Sequence, residues 1–135
     1  MILYIGLAMI SNLIKTDKEK FFDEISDKYF MFINDKKITT ARDCAANTGK
    51  VLRQRPDYID KVIKLYLEME KICEFKENQK ALLLYDIFVI FEEFYEKTSY
   101  KEEINKKILA NLKNMSPKTA KKARELKKKY GLSEE

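Results

Sequence analysis

The 135-residue chain reads as one all-α domain of about seven helices, and three observations carry that reading. Glycine and proline together fill only five positions, too few turn formers for a β-sandwich or barrel. Apolar residues recur at spacings of three and four in nearly every segment between polar breaks. The breaks themselves carry helix signals: Thr16-Asp17-Lys18-Glu19 and Ser99-Tyr100-Lys101-Glu102 have the form of capping boxes, Ser116-Pro117 of a helix start, and Gly131 of a helix end. At 45% hydrophobic residues the chain is too apolar to be disordered. A chain of this length buries roughly 68–70% of its unfolded surface, enough for a true core.

The first element, over residues 2–14, surrounds itself with Ile2, Leu3, Tyr4, Ile5, Leu7, Ala8, Met9, Ile10, Leu13 and Ile14. Its apolar run of about 14 residues falls short of the roughly 20 that span a bilayer. It also lacks the basic start and A-x-A-like site of a signal peptide, so it is expected to be a buried helix. A helix over 17–33 follows, with Phe21, Phe22, Ile25, Tyr29, Phe32 and Ile33 on one stripe. Asn34-Asp35 interrupts the pattern, and Asp35 is placed to cap a helix over 37–54. There Ile38, Ala41, Ala45, Thr48, Gly49 and Leu52 make a face of small residues that admits a close neighbour. Pro56 opens a helix over 56–73 with the stripe Ile59, Val62, Ile63, Tyr66, Met69 and Cys73.

The segment 79–97 differs in kind. Its run ALLLYDIFVIF holds one polar residue, Asp86, in eleven positions, which is the mark of a helix central to a packed structure. After Ser99 a helix is predicted with the stripe Tyr100, Ile104, Ile108, Leu112 and Met115. The last helix, 117–130, keeps Thr119, Ala123, Leu126 and Tyr130 on a narrow apolar stripe, and Gly131 ends it.

These helices pair into hairpins over about 17–54, 56–97 and 99–130, a period of roughly 40 residues, as repeat architectures require. Each second helix follows a short polar turn: Asp35-Lys36-Lys37, Glu77-Asn78 or Ser116-Pro117. Ala41-Arg42-x-x-Ala45 matches Thr119-Ala120-x-x-Ala123. On these residues the chain resembles the HEAT-repeat and related armadillo-like helical repeats, whose second helices read Asp, then Val-Arg, then x-x-Ala and a later Leu. Asp35, Ala41, Arg42, Ala45 and Leu52 follow that order. The repeat arginine occurs only at Arg42, with Leu82 and Ala120 at the corresponding places, so a continuous Asp–Arg ladder is not implied. The resemblance implies a short α-α superhelix, a solenoid of stacked antiparallel hairpins, with 37–54, 79–97 and 117–130 lining its inner side. The alternative is a plain helical bundle with coincident hairpin lengths. In the repeat register, residues 2–14 form an unpaired helix whose exposed side needs cover, because solenoid ends must be polar. That cover comes from a second copy, a partner or upstream sequence, unless the helix folds back into the core.

The chain has no histidine, which removes imidazole metal ligands, histidine proton shuttles and the Ser-His-Asp and Cys-His arrangements. Cys44 and Cys73 stand 29 residues apart with no CxxC, so neither a four-cysteine zinc site nor a disulfide scaffold is indicated. Both are expected reduced and packed, in a reducing cytoplasm. Only Gly6, Gly49 and Gly131 are available, and none forms a phosphate-binding loop. Glu92, Glu93 and Glu96 are acidic neighbours that read as a solvated helix end rather than an acid–base pair. Asp86, alone among apolar residues, needs a Lys, Arg or tyrosine hydroxyl as partner. No enzyme, cofactor, metal or small-molecule substrate is expected.

Formal net charge is +5, unevenly spread. Residues 101–130 carry 11 Lys/Arg against three acids, whereas 1–100 carry 16 basic and 17 acidic groups. On the last helix Lys118, Lys121, Lys122, Lys128 and Lys129 project opposite the apolar stripe and are the candidate partner-binding residues. Such a face serves as a solvated cap, holds an acidic protein surface, or neutralises nucleic-acid phosphates. The nucleic-acid reading requires those lysines to be contiguous with Lys50, Arg53 and Arg55, and weakens if Glu92, Glu93 and Glu96 lie between. The expected function is therefore a non-catalytic protein-interaction or scaffolding module, with a nucleic-acid-binding repeat protein as the alternative. A protein partner is expected, a homodimer through the first helix is one way to cover that helix, and no membrane association is expected.

Overall fold

A computed structural model describes residues 19–34 and 37–133, and every regular element among them is helical. Seven α-helices occur in the described residues: α1 Glu19–Phe30, α2 Ile38–Gln54, α3 Ile59–Leu67, α4 Met69–Ile72, α5 Glu77–Phe94, α6 Lys101–Ala110 and α7 Pro117–Tyr130. Short 3-10 turns at Met31–Asn34, Pro56–Tyr58 and Tyr95–Lys97 extend or introduce three of them. The expected helix 2–14, the capping box from Thr16 and the Asp35 cap lie outside the described residues, as do the side chains of Phe21 and Phe22.

Most of the described positions in the predicted stripes of α2, α3 and α7 are buried. Ala41, Ala45, Thr48 and Leu52 of α2, Ile59, Val62, Ile63 and Tyr66 of α3, and Thr119, Ala123 and Leu126 of α7 lie in the interior. Where α2 meets α3 the interior holds polar groups that satisfy one another. The Tyr66 hydroxyl donates to Thr48 Oγ1 at 2.9 Å, and Thr48 donates to the Cys44 carbonyl at 2.7 Å. Both cysteines are free and buried.

Three expectations are corrected. The helix expected over 56–73 divides at Glu68, where N–H groups bond carbonyls three residues back (Glu68 to Leu65, Lys71 to Glu68) and tighten the turn. The division delivers both Met69 and Cys73 to the core. The helix after Ser99 starts at Lys101 without a side-chain cap, because the Ser99 hydroxyl is drawn 2.7 Å away to Asp60. It also stops at Ala110, short of Met115. Asn114 donates to Asn111 Oδ1 and accepts from the Ser116 N–H at 2.8 Å, building a turn that leaves Met115 63% exposed instead of in the predicted stripe. The last helix starts and stops as its residues indicate. Ser116 Oγ accepts from the Thr119 N–H at 3.4 Å, and Gly131 takes the left-handed conformation at φ +62°. The Leu132 N–H then bonds the Lys127 carbonyl, closing a Schellman turn.

Helix α5 lies between α2 and α7 and touches both. All three run the same way. Arg42, in the first turns of α2, meets Asp86 midway along α5, and Arg53 meets Glu93 near the ends of both. Thr119 donates to the Ala81 carbonyl at 2.5 Å near the starts of α5 and α7, while Tyr130 stacks on Tyr95 at 3.8 Å at their ends. The small α2 face explains the close approach: a Cβ on Gly49 would lie 3.5 Å from Ile90 Cδ1. Helices α3 and α6 contact each other beside this row. Asp60 of α3 accepts from the Thr98 hydroxyl and from both the N–H and hydroxyl of Ser99, latching the segment that leads into α6.

Candidate functional site

The acidic end of α5 is engaged on both sides. Glu93 takes a two-pronged contact from Arg53 of α2, at 2.6 and 2.9 Å. Glu92 accepts from Lys122 at 2.5 Å and Lys129 at 3.0 Å, both on α7. Partial burial pushes the Glu92 carboxyl pKa up, and the two ammonium groups together outweigh it, so the net shift is downward. Glu96 pairs with Lys101 at 2.7 Å. Glu93 and Glu92 therefore stand as ion-pair acceptors between the basic groups of α2 and those of α7, while Glu96 pairs toward α6. Arg55 turns instead to Asp57, at 2.8 Å, and to the Tyr58 ring.

The five lysines singled out on α7 consequently separate into two sets. Lys122 and Lys129 are joined to Glu92. Lys118, Lys121 and Lys128 face solvent, with Lys118 lying 4.1 Å from the Tyr85 ring centroid, a cation–π contact. The positions named for the helical repeat also separate. Ala45 is buried, and Arg42 Nε donates to Asp86 at 2.7 Å. This contact raises the Arg42 pKa, chiefly through the hydrogen bond, and gives Asp86 the cationic partner its apolar surroundings call for. Asp35 lies outside the described residues.

What residue-by-residue reading misses is the outer side of α5. Its run is apolar on nearly every face, and its main neighbours among the described residues are α2, α3 and α7. Leu82 and Val89, 37% and 40% exposed, stand one heptad apart with the half-buried Tyr85 between them. Spacing of this kind places the three on one outward strip. The all-round apolar run is visible in the sequence, but which side stays open depends on how the neighbouring helices pack.

Two concave regions are also formed. An open groove of about 290 Å³ beside α1 and α3 is lined by Phe30, Met31 and Leu65, with charged Asp27, Lys61, Lys64 and Glu68 around it. Lys61 and Asp27 pair across it. A smaller recess of about 100 Å³ includes Glu70, Lys80, Asn111 and Asn114. Lys107 and Lys80 both reach Glu70 there, the first to its carboxylate at 2.9 Å and the second to its carbonyl at 3.0 Å. Among the described residues no group of three His, Cys, Asp or Glu side chains converges as a metal site, and no helix is long and apolar enough to cross a membrane.

Comparison with protein-family models, with curated proteins and with solved structures returns no match for this chain.

Proposed function

We propose that this chain is a non-catalytic protein-interaction module built from stacked helical hairpins of the HEAT-like type, with the row α2, α5 and α7 as its working face. The parallel run of these three helices supports the repeat reading, since successive second helices of a solenoid point the same way. The observation that carries the interaction reading is the exposed apolar strip Leu82, Tyr85 and Val89 on the middle helix. Apolar side chains aligned on a surface, unlike scattered ones, are a binding feature. The cations on either side of the strip fit the polar rim of such a surface. The ion pairs at the end of α5, and the pairing of Lys61 with Asp27 and of Lys107 with Glu70 at the two recesses, support a non-catalytic reading.

The nucleic-acid alternative draws on Lys118, Lys121 and Lys128, which are outside those ion pairs. Against it stand Glu92 and Glu93, whose carboxylates lie between basic groups of α2 and α7, while Glu96 pairs with Lys101 of α6. A photo-activatable side chain at position 89, introduced in the protein's native cells, tests the docking face. The expected result is a discrete protein adduct from position 89 and none from position 106, which is exposed on α6. No adduct from position 89 would remove the interaction reading.

A further inference from the structure

We infer that the occupant of this face is an acidic amphipathic helix of a partner protein, its apolar side chains laid along Leu82, Tyr85 and Val89 and its carboxylates set against Lys118 and Lys121 of α7. The inference rests on the interaction reading above and adds the chemistry of the partner. Leu82, Tyr85 and Val89 stand at i, i+3 and i+7 on one helix, a row about 10 Å long by the 1.5 Å rise per residue. A second helix laid along it meets this row with its own i, i+3 or i+4, and i+7 residues, the spacing of helix-in-groove recognition.

Charge decides the sign of the partner. Lys118 contacts the Tyr85 ring itself, so a carboxylate reaching that ammonium is carried by a segment lying on the strip. Lys121 follows one turn later on α7 and is exposed. No acid lies in the first turn of α7, where the helix dipole favours anions, yet cations occupy this end. Solubility does not ask for that arrangement, because mixed charges serve it at less expense to the helix. Cations placed against the dipole, beside exposed apolar side chains, fit an external anion with an apolar face. A phosphate backbone lacks that face.

The test takes the position-89 adduct from native cells and sequences the joined peptide. The expected peptide has an acidic surplus and apolar residues at helical spacing. The adduct should fall about tenfold when Lys118→Glu and Lys121→Glu are combined, the size expected when two charge contacts are reversed. It should persist with Lys106→Glu and Lys113→Glu, exposed positions on α6 and just beyond it. Unchanged thermal melting in each variant separates lost docking from lost folding. An adduct to a peptide with no acidic surplus, or one indifferent to Lys118→Glu with Lys121→Glu, overturns the partner class and leaves the docking face standing. An adduct removed by nuclease, or one to lipid, overturns it in favour of nucleic acid or a membrane. Absence of any adduct is the separate failure of the interaction reading itself.

Discussion

Cys44 donates to the Tyr29 carbonyl at 3.5 Å, is fully buried, and has its pKa pushed up to about 12 by that burial. Cys73, donating to the Ile33 carbonyl at 3.2 Å, is pushed up to about 11 for the same reason. Since the thiolate is the reactive form, both thiols should resist modification in the folded protein. Ellman's reagent at about pH 8 is expected to label neither cysteine on the timescale in which it labels both in denaturant. Fast labelling of one thiol in the native state would show that its pocket is open. Burial of these cysteines was legible from their apolar neighbours. Their acceptors were not, because each is a carbonyl from a preceding turn that packing brings near. Asp86 follows the same logic: its need for a cation could be read from ALLLYDIFVIF, but Arg42 stands 44 residues away and only the juxtaposition of α2 and α5 selects it.

For α2 the decisive position is Gly49. A Cβ there would meet the end of the Arg53 side chain at 3.3 Å and Ile90 at 3.5 Å, and the flexible guanidinium can give way. Gly49→Ala is therefore expected to stabilise the protein by up to about 1 kcal/mol through helix propensity. Gly49→Leu should lose about 1–3 kcal/mol by forcing α2 from α5. Urea unfolding of the two variants checks both signs, and equal tolerance of Leu would mean that the helices do not touch there. The small face of α2 was evident in its residues, as were the Ser116-Pro117 start and Gly131 end of α7. The ends of α6 were less so. Ser99 prefers the Asp60 carboxylate to its own helix, and the Asn111–Asn114 turn ends the helix before the apolar pattern does. Local capping signals lose where a tertiary acceptor or an asparagine turn competes for the same groups.

Across the whole molecule, carboxylates act as the clasps. The Thr98 hydroxyl leads the groups that lower the Asp60 pKa, with Ser99 adding to it, and this joins α3 to the approach of α6. Glu92 joins α5 to α7. A carboxyl whose folded pKa is lowered adds stability above its unfolded value, and that stability is lost as pH falls through the folded value. Urea midpoints should therefore be steady near neutrality and fall below about pH 4. Asp60→Asn is expected to be less stable than the parent at neutral pH and to lose less between about pH 7 and pH 3. An identical acid loss in parent and variant would show that Asp60 is not a clasp.

Helix content, the buried stripes and the central place of α5 could be derived from residue order, because helical periodicity and caps are local properties of a chain. The same holds for the uneven charge, with its basic surplus gathered over 101–130. Which lysines remain outside ion pairs could not. Glu92 takes Lys122 and Lys129, while Lys118 goes to the Tyr85 ring, although all three lysines share one helix and look alike in sequence. The exposed strip on α5 likewise depends on which sides its neighbours cover. Periodicity sets which residues of a helix are apolar, but exposure and pairing are properties of the neighbours, and neighbours are chosen by packing across tens of residues.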